Sequence, residues 1–135
     1  MEFHKGRLVD HVHLIVDDLA RSKRFYRAIL EPLGHRIVEG EGYFNCDELW
    51  VSEGKGSSAH VHLAFQARDR ETVDRFYKAG LEAGGKDNGG PGERDYHPGY
   101  YAAYLFDPDG NNIEAVIHGS ATRSAESVVI SPTMG

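Results

Sequence analysis

Residues 11–26 read HVHLIVDDLARSKRFY, and residues 62–77 read HLAFQARDRETVDRFY. At an offset of 51 they superpose His11 on His62, Asp18 on Asp69 and Arg24-Phe25-Tyr26 on Arg75-Phe76-Tyr77. Further on, Ala28 meets Ala79, Leu30-Glu31 meets Leu81-Glu82 and Gly34 meets Gly85, with no gap. A more conspicuous repetition, HVHL at 11–14 and at 60–63, sets an offset of 49 and throws the following segments out of step. In the register of 51, His13 falls opposite Ala64 and His60 opposite Val9, so the identical tetrapeptides are a coincidence of strand composition.

Each copy reads as an alternating strand, an Asp at a helix N-cap, an amphipathic helix and a glycine at its end. The first strand is expected at about 8–16, and its helix at about 19–33 with Leu19, Phe25, Tyr26, Ile29 and Leu30 inward. The second strand is expected at about 59–67, and its helix at about 70–83 with Val73, Phe76, Tyr77 and Leu81 inward. Short strands should follow each helix: near 35–39, 42–46 and 48–52 in the first copy, and near 86, 100–106 and 112–118 in the second. Asp107-Pro108-Asp109-Gly110-Asn111-Asn112 has the residues of a hairpin connection. Residues 88–99 read as a long glycine-rich loop, and 119–135 as a loose C-terminal arm that docks on a partner.

With 135 residues, the chain can bury one core and not two. Residues 1–118 are therefore expected as a single domain, module one at about 8–53 and module two at about 59–118. A formal charge of −6 supplies no basic face for nucleic acid or an anionic membrane, so the expected partner is a small molecule. Cys46 is the one cysteine, which excludes an intrachain disulfide and a thiolate cluster; it reads as a small buried hydrophobe in a reducing, cytoplasmic setting. Neither a leader's apolar segment nor a membrane-length apolar run is present in the sequence, so no membrane association is expected.

Strand side chains alternate between faces, so parity sorts the ionisable groups. Val12, Leu14 and Val16 oppose His11, His13 and Ile15; Leu63 and Phe65 oppose His62, Ala64 and Gln66. In the last strand Ile113, Ala115 and Ile117 oppose Glu114, Val116 and His118. Unpaired ionisable groups on an inner face would cost several kcal/mol each, so something must satisfy them. His11, His62 and Glu114 make a two-histidine, one-carboxylate set suited to divalent Zn, Ni, Mn or Fe. Aligning Glu48-Leu49-Trp50 with Glu114-Ala115-Val116 makes Glu48 the first-copy counterpart of Glu114, a fourth ligand or a general base.

The stretches DHVHLIVDDLARSKRFY (10–26), HLAFQARDRETVDRFY (62–77), GGKDNGGPGERDYHPGYYAAY (84–104) and DPDGNNIEAV (107–116) resemble the vicinal oxygen chelate superfamily, which includes glyoxalases, bleomycin-resistance proteins and extradiol dioxygenases. The resemblance spans about residues 8–118. It implies an α+β fold of two βαβββ modules forming an incompletely closed eight-stranded barrel around a metal site, with His11, His62 and Glu114 as ligands to a divalent metal ion. It also implies a homodimer. The reaction expected is that of a lyase or isomerase with Glu48 as catalytic base, acting on a small vicinal-oxygen substrate through a metal-stabilised enediolate. Glyoxalase I enzymes commonly carry an arginine where Ile15 stands, so a glutathione adduct is not implied here. The alternatives are an Fe(II) extradiol-type dioxygenase, with His13, Tyr100 or Tyr104 donating hydrogen bonds beside the metal, and a non-catalytic small-molecule or drug-binding protein.

Five further residues are candidates for substrate binding. His13 shares the face of His11. Arg94 and Tyr96 lie in the 88–99 loop with His97, where Arg94 is suited to a substrate carboxylate or phosphonate. Tyr100 and Tyr104 share a face and line the pocket or pack in the core. His118 is expected near the barrel rim, and Trp50 as a pocket wall or a buried residue.

Overall fold

The computed structural model describes residues 3–5, 9–56, 61–120 and 127–131. Expectations that fall elsewhere, including Leu8, His60 and much of the C-terminal arm, lie outside the described residues. The order is β1 (Phe3–Lys5), β2 (Val12–Val16), α1 (Leu19–Leu30), β3 (Val38–Gly40), β4 (Tyr43–Cys46), β5 (Leu49–Glu53), β6 (His62–Gln66), α2 (Arg70–Glu82), β7 (Lys86–Asp87), β8 (Gly92–Glu93), β9 (Tyr101–Phe106), β10 (Asn112–Ile117) and β11 (Val128–Ile130).

The duplication is visible in the pairing. The first module forms a sheet in the order β2-β5-β4-β3, the second in the order β6-β10-β9-β7 with β8 also on β9. β2 runs parallel to β5 and β6 parallel to β10, as crossover through a helix requires. No strand pairing joins the two sheets among the described residues, so the eight strands do not close around one site within a chain. A third, two-stranded sheet pairs β1 with β11. The arm expected to be loose thus contributes a strand, for which the β-branched run Val128-Val129-Ile130 is suited.

Both helices start where the Asp residues predict. Asp18 accepts the Arg21 backbone N–H at 3.1 Å, and Asp69 accepts the Thr72 backbone N–H at 2.8 Å and the Thr72 hydroxyl at 2.7 Å. α1 stops at Leu30, three residues before the expected end, because Pro32 cannot donate to the carbonyl four residues back. The chain then folds over: Gly34 takes φ +91° and the His35 N–H returns to the Leu30 carbonyl at 3.0 Å. This stop delays the next strand to Val38.

The helices and the apolar faces of both sheets share one core, including Leu14, Val16, Phe25, Tyr26, Ile29, Phe44, Val51, Val73, Phe76, Leu105 and Ile113. Leu81 departs from expectation, being 40% exposed. Gly80 takes the inward place instead, so close to β9 that a Cβ there would stand 2.2 Å from Leu105 Cδ1. The next residue is turned outward by the 3.6-residue period.

The seam between the modules is polar at its centre. Tyr26 Oη on α1 donates to Asp107 Oδ2 at 2.5 Å, and both residues are buried. Asp107 also accepts the backbone N–H groups of Asp109 (2.9 Å) and Asn111 (2.8 Å) and the Asn111 side-chain amide (3.0 Å). The 107–112 connection is the predicted β9–β10 hairpin, and its first carboxylate also anchors the other module's helix.

Candidate active site

Glu114 is the centre of the second module's polar face. It lies on β10 opposite Tyr104 of β9 and Ala64 of β6, two residues after Asn112, which pairs with His62. Parity therefore puts His62, Tyr104 and Glu114 on one face, as the alternation predicted. Glu114 is only 1% exposed, and each carboxylate oxygen has a partner: His62 Nε2 lies 2.8 Å from Oε1, and Tyr100 Oη donates to Oε2. The Tyr104 hydroxyl joins this chain through Tyr100. Burial, that bond and the nearby charge of Glu114 hold Tyr104 well above the usual phenol range, so it stays a protonated donor. Burial and the bond to Glu114 raise Tyr100 as well.

Around Tyr100 stands an aromatic cluster. Tyr96 meets it edge-on at 4.8 Å between centroids, His118 at 5.0 Å and His97 at 5.5 Å. His97 and His118 stack, with His97 Nε2 and His118 Nδ1 2.9 Å apart. This pair fastens the 88–99 loop to the end of β10. The sequence reading missed the contact, although His118 shares the parity of Glu114. Arg94 lies over the Tyr104 ring at 5.3 Å while donating to the Gly90 carbonyl at 2.7 Å and the Glu93 carbonyl at 3.3 Å, so it braces its own loop. Tyr96 is exposed at the margin.

The first module's polar face carries the remaining candidates. His13 on β2 pairs with Trp50 on β5, and its Nε2 lies 2.7 Å from Ser52 Oγ. Trp50 stacks on Tyr43 with centroids 4.2 Å apart and planes 11° from parallel. His11 is exposed, with Nδ1 2.7 Å from Asp10 Oδ1. Glu48 is half-buried in the β4–β5 turn, and its carbonyl accepts the Val12 N–H at 2.6 Å.

Register corrects one equivalence. Val12 pairs with Leu49, and its repeat partner Leu63 pairs with Ile113. Leu49 therefore corresponds to Ile113, Trp50 to Glu114, and Glu48 to Asn112. The earlier alignment of Glu48 with Glu114 is off by two residues, which preserves the face and shifts the position along the strand. Glu48 stands beside His11 as Asn112 stands beside His62.

The structure brings His62 and Glu114 together and leaves His11 apart. The donor atoms of His11, His62 and Glu114 do not all lie within 4.8 Å of one another in one chain. The physical reason is the shared core: both sheets turn their apolar faces toward the helices, which directs the two polar faces outward. His62 and Glu114 nevertheless suit a divalent cation, an imidazole nitrogen and a carboxylate oxygen already adjacent, with a phenol oriented on the second carboxylate oxygen. No third His, Cys, Asp or Glu donor joins this pair among the described residues of one chain. An open groove between α1 and α2, lined by Lys23, Arg24, Arg27, Glu31, Arg75 and Glu82, is separate from this face. No helix among the described residues is long and apolar enough to cross a membrane.

Comparison with known proteins agrees with the architecture. The family model of the Glyoxalase/Bleomycin resistance protein/Dioxygenase superfamily matches residues 8–115. A glyoxalase/bleomycin resistance protein from Albidiferax ferrireducens T118 is 34% identical, with a TM-score of 0.71 over 81% of this chain and 98% of that one. Lactoylglutathione lyase from Agrobacterium tumefaciens is 19% identical, with a TM-score of 0.59 over 82% of this chain and 93% of that one. Oxidase ChaP-H2 is 22% identical, with a TM-score of 0.58 over 80% and 91%. The last two likenesses are of fold alone. No curated protein matches the chain.

Proposed function

We propose, for a chain that belongs to the glyoxalase/bleomycin resistance protein/dioxygenase superfamily, that it is a divalent-metal-dependent lyase or isomerase acting on a small vicinal-oxygen substrate as a homodimer. The observation that carries this reading is Glu114: a carboxylate 1% exposed in a strand otherwise packed with apolar residues, 2.8 Å from a histidine. Burying such a group is costly, and it is kept here with an imidazole and two phenols arranged about it. His62 and Glu114 would hold the cation with His11 of the partner subunit. A second copy is required because His11 is exposed and does not reach the pair within its own chain.

When bound, a Zn, Ni, Mn or Fe ion supplies Lewis acidity to the substrate's adjacent oxygens. This chain's residues do the rest. Glu48, beside His11 on the same face, takes the proton from the carbon next to the carbonyl. Tyr104 and Tyr100 orient Glu114 through their hydrogen-bonded chain, and Tyr96 with Arg94 borders the face where substrate enters. His13 and the Tyr43–Trp50 stack form the wall opposite.

Complementation tests the two-chain site. Mix His11→Ala protein with His62→Ala/Glu114→Gln protein, each inactive and metal-poor, and allow subunits to exchange. About a quarter of all sites in a statistical mixture then have an intact donor set. Metal content and turnover should rise toward that fraction; no recovery in demonstrably mixed dimers rejects the composite site. Glu48→Gln should keep metal and lose turnover on α-hydroxycarbonyl substrates.

One observation favours a second, oxidative reading. Trp50 occupies the first-module place equivalent to Glu114, which leaves three protein donors and no symmetric fourth, the set suited to an Fe(II) oxygenase. Oxygen uptake with catechols by the iron-loaded protein, abolished with His62→Ala, would select it over the lyase.

A further inference from the structure

Away from Glu114, three side chains with metal-binding chemistry meet where α1 gives way to the first sheet. His35 follows the helix stop, Cys46 ends β4, and Asp47 begins the turn to β5. One ligand atom from each lies within 4.8 Å of the other two. His35 Nδ1 stands 3.9 Å from Asp47 Oδ2, with the imidazole exposed and the thiol buried. We infer that His35, Cys46 and Asp47 form a second metal site, for a borderline-soft divalent cation of the zinc class.

The donor chemistry selects the ion. Nitrogen, sulfur and carboxylate oxygen together suit zinc-like cations and do not suit Mg²⁺ or Ca²⁺, which take oxygen ligands. Bonds of about 2.0–2.3 Å in a tetrahedron put neighbouring ligand atoms roughly 3.3–3.7 Å apart. The cluster is therefore open by about 1.5 Å at most, and the His35–Asp47 separation of 3.9 Å is already close to the bound distance. Three protein ligands leave the fourth position to water. On binding, the Cys46 S–H bond breaks, the sulfur's electron pair forms the bond to the cation, and the proton passes to solvent. No electron is transferred. Such an ion would tie the loop after α1 to the β4–β5 turn, the turn that carries Glu48, and so fix the position of that carboxylate.

Cobalt reports the site directly, because thiolate ligation gives an intense sulfur-to-cobalt charge-transfer band that the sulfur-free His11, His62, Glu114 set cannot produce. Chelator-stripped full-length protein titrated with Co²⁺ should develop this band, saturating by two equivalents per chain in the wild type and at one in Glu114→Gln, where the other site is disabled, and should lose it on adding Zn²⁺. Cys46→Ala should abolish the band. His35→Ala and Asp47→Asn, both away from the packed core, should each weaken binding about tenfold or more. Glu114→Gln should leave it intact. Absence of the band in the wild-type chain overturns the proposal, as does a band whose affinity is unchanged by His35→Ala and Asp47→Asn, or one lost in Glu114→Gln. The reading of Glu114 stands or falls separately, by its own metal content and turnover.

Discussion

Replacing Tyr26 with Phe should loosen the seam between the modules by a measurable amount. The phenol ring is fully buried and its hydroxyl donates to Asp107 at 2.5 Å, so the substitution deletes one oxygen and leaves the packing of the ring intact. What remains is a buried carboxylate with three donors in place of four. Burial first, then the charge of Asp107, holds the Tyr26 phenol far above its ordinary range, so it donates across the whole working pH span. A hydrogen bond to a charged group is worth about 1.5–3 kcal/mol, and no cavity contribution is added. With a urea m-value of about 1–3 kcal/mol/M, a loss near 2 kcal/mol lowers the midpoint by about 1 M. Urea unfolding followed by far-UV circular dichroism, at matched protein concentration because the stability of an associating chain would depend on it, measures the change. A loss below about 0.5 kcal/mol would refute the account, as would strict additivity of Tyr26→Phe and Asp107→Asn in a double-mutant cycle.

Three further outcomes follow from the same geometry. Hydrogen bonds from the Thr72 hydroxyl and backbone N–H hold the Asp69 carboxyl below its usual range; its cap is therefore fully stabilising above about pH 4 and fades as the pH falls through the lowered value. Asp69→Ala should lower Tm at neutral pH and converge with wild type in strong acid, and an equal gap at both would contradict this. Burial, and then the charges of Asp47 and Glu48, push the Cys46 thiol up to about 12. At pH 8 only about one thiol in 10⁴ is ionised, so metal-free native protein should be alkylated by iodoacetamide orders of magnitude more slowly than free cysteine, and a comparable rate would be inconsistent. Tyr100→Phe removes the donor to Glu114 Oε2 and should weaken divalent-ion binding about 10–100-fold by calorimetry; unchanged affinity would show that the phenol does not orient the carboxylate.

The duplication was legible in the chain because its register rests on residues with position-specific tasks: N-cap aspartates, inward aromatics and terminating glycines. Parity then found the face shared by His62 and Glu114. It could not tell whether His11 would meet them, since alternation fixes the side of a strand and says nothing of which sheet lies opposite. Glu48 was misaligned for a related reason: a two-residue slip preserves parity, so only the backbone pairing of Val12 with Leu49 reveals it. The His97–His118 contact depends on the path of a twelve-residue loop. Cys46 and His35 are unremarkable singly, being eleven residues apart, with His35 just beyond a helix stop that sequence placed too late.

Tyr26 and Tyr77 are the same letter at matched places in the two copies, yet Tyr26 reaches into the other module for Asp107, whereas Tyr77 binds Asp87 of its own. Inherited likeness has here been turned to unlike employment. Because one half's loop takes a hydroxyl from the other, neither half keeps all of its buried partners when severed from its twin.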